Sequence, residues 1–184
     1  METINKVGFR TMAAFAVSCL FVLVTAGCGT GGDRTSSPAQ PITAAKAGSS
    51  SLSILNASLS GAQEVPPVIS AATGTATVTI DAARTTISVT LTTQGFATPV
   101  TASHIHFGPA GSNGGILFSL FAAPAIFPAT LTKTLTSADF TPDAVNGIIT
   151  FADAVNAILV GNTYINVHTQ ANLGGEIRGQ LLLQ

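Results

Sequence analysis

The sequence predicts an all-β fold, a Greek-key β-sandwich or barrel of about 7–8 antiparallel strands with one short helix near residues 150–160. Three observations predict it. Apolar residues alternate with threonine over long stretches, Gly- and Pro-rich turns separate those stretches, and one segment replaces the alternation with helical spacing.

In "TGTATVTID", Ala76, Val78 and Ile80 alternate with Thr75, Thr77 and Thr79. In "RTTISVTLTTQ", Ile87, Val89 and Leu91 alternate with Thr86, Ser88, Thr90 and Thr92. Alternation of this length describes antiparallel strands with one face on a core and one toward water. The link "DAAR" reads as the turn of a hairpin. Further strands are expected at 52–60, 99–107, 115–121, 129–136, 162–169 and 175–183. The exception is "TFADAVNAILV", where Phe151, Ala154, Val155, Ile158 and Leu159 recur at helical spacing while Asp153 and Asn156 lie off that face. Gly161 is placed to end this helix, which should cover one end of the sandwich.

Strand parity then orients the polar residues. On strand 99–107, Ile105 and Phe107 share one face, and Ala102, His104 and His106 share the other. Burying Ile and Phe gains roughly 1.5–3 kcal/mol each, whereas burying an unpaired imidazole costs energy. Both histidines should therefore face away from the core. By the same test Ile165 and Val167 point in, and Tyr164, Asn166 and His168 point out. In the last strand Ile177, Leu181 and Leu183 point in, and Glu176, Arg178 and Gln180 point out. A register slip of one residue would reverse all of these together.

Three imidazoles from two strands suit Cu or Zn, provided the strands are adjacent and water, Glu176 or another donor takes the fourth position. The competing reading is a hydrogen-bonded polar cluster. In that reading His104 and His106 bond loop backbone around "GPAGSNGG", and His168 fixes the turn "QANLGGE". Glu64, in "GAQEVPPV", either ligates or acts as a base, or, the reading we favour, caps or braces a turn before Pro66 and Pro67. Glu176 and Arg178, two residues apart on one strand face, read as a cross-strand or surface charge pair contributing at most about 1 kcal/mol. "GPAGSNGG" is no phosphate loop, for it lacks the following Lys-Ser/Thr and opens no helix.

The N-terminal region reads as an address. Lys6 and Arg10 precede the apolar run "MAAFAVSCLFVLVTAG", which has the length of a signal-peptide core, so residues 1–27 are expected to be a signal peptide. The run closes on "TAGC", which resembles a bacterial lipobox. Cys28 would then carry the lipid, each buried CH₂ contributing about 0.8 kcal/mol to anchoring. Thr25 departs from the usual Leu or Val at its position. Gly29, rather than Asp, follows the cysteine; by resemblance to lipoproteins of double-membraned bacteria this implies sorting to the outer membrane, in a host that has one. The rest of 28–51, rich in Gly, Ser, Thr, Pro and Ala, lacks the apolar side chains to offset chain entropy, so it is expected to be a disordered tether spanning roughly 25–30 Å. Residues 52–184 are the domain. With Cys19 removed and Cys28 lipidated, no thiol remains for a disulfide or a thiolate site. From Cys28 onward five Lys/Arg face seven Asp/Glu, without a basic patch, which argues against nucleic acid as a partner.

"LSGAQEVPPVISAATGTATVTID", "VTASHIHFGPAGSNGG" and "YINVHTQANLGGEIRGQL" resemble the CHRD domain, first named for its repeats in chordin and also found singly in bacterial exported proteins. The resemblance runs from about Leu52 to Leu183 and implies a β-sandwich with a binding or protein-interaction role. A fainter similarity is to copper/zinc superoxide dismutases. They too have a His-x-His strand with an aliphatic residue between the ligands, a later "VH" strand, a Gly-rich turn and an Arg near the C-terminus. His104, His106, His168 and Arg178 would take those places. The chain lacks the bridging fourth histidine, the zinc-loop cluster and the disulfide pair of those enzymes. The expectation is therefore a surface-tethered, noncatalytic binding module of a bacterial exported lipoprotein, acting on an extracellular protein or small ligand. Its alternative is a metal-binding or dismutase-like redox protein using the three histidines.

Overall fold

A computed structural model describes residues 51–184. The expected signal peptide, Cys28 and all but the last residue of the tether lie outside them. Nine strands and one α-helix follow in order: β1 (Ser53–Ser60), β2 (Thr73–Ile80), β3 (Ile87–Gln94), β4 (Val100–Phe107), β5 (Ile116–Ala122), β6 (Thr130–Leu135), α1 (Phe151–Leu159), β7 (Thr163–Thr169), β8 (Ile177–Gln180) and β9 (Leu182–Leu183). Every pairing is antiparallel. The sheet runs β5-β4-β7-β8-β1-β2-β3-β6, with β9 pairing β1.

The sheet curls into a nearly closed eight-stranded barrel. Its two end strands approach each other, and Lys133 Nζ on β6 donates to Ser119 O on β5 at 2.7 Å. Lys133 shares its side of β6 with Leu131 and Leu135, so an inward-pointing cation stands at the free edge, a device that discourages edge-to-edge pairing.

The alternation read from the sequence is the core. Ala76, Val78, Ile80, Ile87, Val89 and Leu91 are buried, while Thr75, Thr77, Ser88, Thr90 and Thr92 between them are exposed. β2 and β3 pair over their whole length, Ile80 opposite Ile87. The "DAAR" turn is held by Asp81, whose Oδ1 accepts from the amides of Thr85 and Thr86 at 2.7 and 2.8 Å. Helix α1 starts at Thr150, whose side chain and that of Asp153 form a reciprocal capping box. Its apolar face delivers Ala154, Val155 and Ile158 to the core, and Phe151 meets Phe118 edge-on at 6.0 Å. Gly161 follows at φ 76°, a conformation that suits glycine at a helix end.

Two expectations change. The final strand is interrupted: β8 stops at Gln180, Leu181 N bonds Thr163 O, and the chain re-pairs with β1 as β9. Leu183, expected inside, pairs with Leu55 of β1 and is exposed there. The second change concerns the sheet's outer face over β4, β7 and β8, which is not open to water. Segments 61–72 and 108–115 close over it.

Candidate functional site

Antiparallel register turns the outward residues of three strands into a grid. His104 lies opposite Asn166, and Asn166 opposite Arg178. His106 lies opposite Tyr164, and Tyr164 opposite Gln180. His168 lies opposite Ala102. The core beneath is Ile105, Ile165, Val167 and Ile177, all fully buried, so the parity expected from the sequence holds on each strand. Phe107 packs half-buried against that core.

The grid is a covered polar layer rather than a wet surface. Tyr164, Asn166 and Arg178 are 2 %, 3 % and 1 % exposed, and Glu176 and Glu64 are both 5 %. The expectation that Glu176 and Arg178 face solvent as a charge pair is thus corrected, because each is buried and committed elsewhere. Arg178 donates to Asn113 Oδ1, Pro109 O and Ser112 O at 3.2, 3.2 and 2.8 Å, and its guanidinium lies 3.4 Å from the centroid of the Tyr164 ring. Glu176 accepts from the hydroxyls of Ser70 and Thr169. Burial pushes the Glu176 carboxyl up, but hydrogen bonds from Thr169, Ser70 and Asn172 outweigh it and hold the group below its usual range. Gln180 Nε2 donates to Gly108 O and Gly161 O. The Gly-rich loop, expected only as a backbone partner of the histidines, is therefore the lid. Its carbonyls are the acceptors the buried cation needs. Asn113 Nδ2 also donates to Val65 O at 2.7 Å, joining the two covering segments.

The three histidines converge. One ring nitrogen from each of His104, His106 and His168 lies within 4.8 Å of the other two. His106 Nδ1 is 3.0 Å from Gly114 O, and His168 Nδ1 is 2.9 Å from Leu173 O. A carbonyl can only accept, so both rings carry their proton on Nδ1 and present Nε2 as a lone pair. His104 Nδ1 sits 3.1 Å from His168 Nε2 and, facing an acceptor, is the donor of that pair. His106 Nε2 is buried with no hydrogen-bond partner. The expected bonds to the Gly-rich loop and to the "QANLGGE" turn are thus present for His106 and His168, while His104 bonds an imidazole instead. Tyr164 stacks on His106 at 5.0 Å and 6°, and its hydroxyl accepts from Gly114 N at 3.3 Å, steadying the residue whose carbonyl orients His106.

Burial lowers the pKa of all three histidines. His104 is driven down to about 4, first by burial and then by His168 and His106. For His106 the interactions with Gly114 and the Asn166 side chain, and for His168 the bond to Leu173, partly offset the same effect. The rings are neutral at physiological pH and their lone pairs are available. Glu64 stands in the same layer, next to Gly175. Its backbone closes the turn Gly61–Gln63, as expected of a residue bracing that turn, but its side chain is buried with Oε1 unpartnered. Burial raises its pKa to about 7 against the opposing pull of Arg178. Glu64 does not join the imidazole cluster, nor does Glu176.

Tyr164, Asn166 and Asn113 were not singled out as site residues from the sequence, nor were the loop carbonyls as acceptors for Arg178. Parity did place Tyr164 and Asn166 on the histidine face; the covering loop has no period from which its packing could be read. No curated protein and no solved structure matches the chain, so the dismutase likeness gains no support. A family model described as the CHRD domain matches residues 55–181, a span that holds every residue of the polar layer. The chain belongs to the CHRD domain family.

Proposed function

We propose that this chain is an exported, noncatalytic binding module held at the cell envelope by a lipid on Cys28, and at the outer membrane where the host has one. Its partner class is an extracellular protein or a small ligand. The observation that carries the binding role is the state of the polar layer. Its strongest groups, Arg178 and Glu176, are bonded by the protein's own loops and by Thr169 of β7, so they brace a preformed face instead of waiting for a reacting atom. The groups of the layer left with free capacity are His106 Nε2, Glu64 Oε1, Asn166 Oδ1 and Gln180 Oε1. Tethering rests on "TAGC" and on the Gly/Ser/Pro-rich stretch after it.

Mass spectrometry of membrane fractions tests the anchor. The expected result is a lipid adduct on Cys28, with the Cys28→Ser chain released to the soluble fraction; an unmodified, soluble wild-type chain would overturn it. A second reading, a metal-handling protein, is favoured by one specific observation, the convergence of His104, His106 and His168.

A further inference from the structure

We propose that His104, His106 and His168 form a three-imidazole site for Zn(II) or Cu(II), bound through Nδ1 of His104 and Nε2 of His106 and His168, and that the ion displaces the single proton the cluster shares. This rests on the second reading, metal handling, and deepens it by naming the ions and the ligand atoms.

The cluster has a mismatch of donors and acceptors. His106 and His168 each spend their N–H on a backbone carbonyl, so both turn a lone pair toward the middle. Among the three rings only one N–H, on His104 Nδ1, faces those two lone pairs, and it goes to His168. His106 Nε2 has no hydrogen-bond partner in a residue only 8 % exposed, beside the Asn166 amide whose Oδ1 is unpartnered as well. A buried acceptor of this kind calls for a donor or an ion. A metal ion supplies three bonds where the proton supplies one.

The geometry fits. Tetrahedral ligands at a Zn–N distance of about 2.0–2.1 Å lie about 3.4 Å apart. The His104–His168 contact of 3.1 Å is already near that separation. One ring nitrogen from each histidine lies within 4.8 Å of the other two, so the widest edge of that set closes by at most about 1.4 Å. Two rings already have the orienting bond typical of metal-ligating histidine, an N–H given to a backbone carbonyl. Imidazole nitrogens without carboxylate or thiolate favour Cu and Zn over Mg or Ca, and of the two Cu(II) should bind more tightly. A fourth position remains for water or an exogenous donor, because neither Glu64 nor Glu176 joins the set.

The inference has a consequence beyond affinity. His104 carries its proton on the nitrogen that must coordinate. On loading, that proton leaves Nδ1 and a proton is taken up at Nε2, so the ring stays neutral and no net proton is released. His106 and His168 keep their Nδ1–H tautomers throughout.

The test uses the full chain purified in detergent. Titration with Zn(II) and, under chelator competition, Cu(II) should give one ion per chain, with Ca(II) and Mg(II) giving none. His104→Asn or His168→Gln, both at half-buried positions, should weaken binding more than about 100-fold, beyond the 10–100-fold lost with an orienting partner. Thr90→Ala, on the exposed face of β3, should leave it unchanged. A preserved amide NMR spectrum confirms that each variant is folded. ¹⁵N-detected imidazole spectra should show His104 alone switching tautomer as Zn(II) is added. Substoichiometric binding at micromolar ion, binding indifferent to His168→Gln in a folded variant, or an unchanged His104 tautomer would each overturn the proposal. None of these outcomes bears on the lipid at Cys28, so failure of the site and failure of the tether are separable.

Discussion

Glu64 and His104 show how one covered face sets opposite proton preferences. Burial raises the Glu64 pKa from 4.5 to about 7, so folding takes up a proton there between those values. Its contribution to stability is full at the acid end and falls as pH rises through the window. The depressed His104 does the reverse: its contribution is complete above pH 6.5 and is lost as pH falls toward about 4. The two oppose each other, and Glu64→Gln should unmask the histidine. Urea denaturation at about pH 5 and about pH 7.5 is the measurement. The variant should gain stability relative to wild type as pH rises, and parallel profiles would rule this account out. Arg178 carries a different kind of prediction. Arg178→Met removes the donor to Asn113 Oδ1 and Ser112 O and the stack on Tyr164, while Pro109 O keeps the amide of Ser112. A loss of about 3 kcal/mol in urea denaturation is expected, since each hydrogen bond from a charged group contributes about 1.5–3 kcal/mol.

At the scale of elements, what was legible followed periodicity. β2 and β3 could be read because Val78 and Val89 recur at every second position between threonines, and their cross-strand pairing follows from that pattern. α1 could be read because Ala154, Val155 and Ile158 fall on one helical face. The solvent exposure of β4, β7 and β8 could not. Parity says which side of a strand a residue takes, not what lies above it, and the lid at 108–115 is built from Gly, Pro, Ser and Asn in irregular backbone. Gly114 shows what fixes that lid: a Cβ there would stand 1.9 Å from Phe107 O. Gly114→Ala should therefore push the loop off His106, removing the carbonyl that orients it, and weaken metal binding about 10–100-fold in a titration where wild type binds one ion. The helix offers an independent check. Thr150→Ala removes the capping box of α1 and should cost about 1 kcal/mol in chemical denaturation without touching the metal titration.

For the whole molecule, the histidine cluster belongs to the barrel's closure as much as to its chemistry. β4 and β7 meet only through the Greek-key path, since their pairing joins residues such as His104 and Asn166 across the β5, β6 and α1 excursion. His106 and His168 are oriented by carbonyls of two separate loops, Gly114 and Leu173. An ion at the three nitrogens therefore ties two strands and two loops at once, and such a tie exists only in the folded chain. Binding to the native state alone stabilises it by RT ln(1 + [L]/Kd), about 2.7 kcal/mol at a hundredfold excess over Kd. For a domain of this size that is a rise in Tm on the order of 10 °C. Thermal unfolding with and without Zn(II) measures it. The shift should vanish in folded His168→Gln and persist in Thr150→Ala, whose lower starting Tm should leave the increment unchanged. A shift that survives His168→Gln would place the ion elsewhere on the chain.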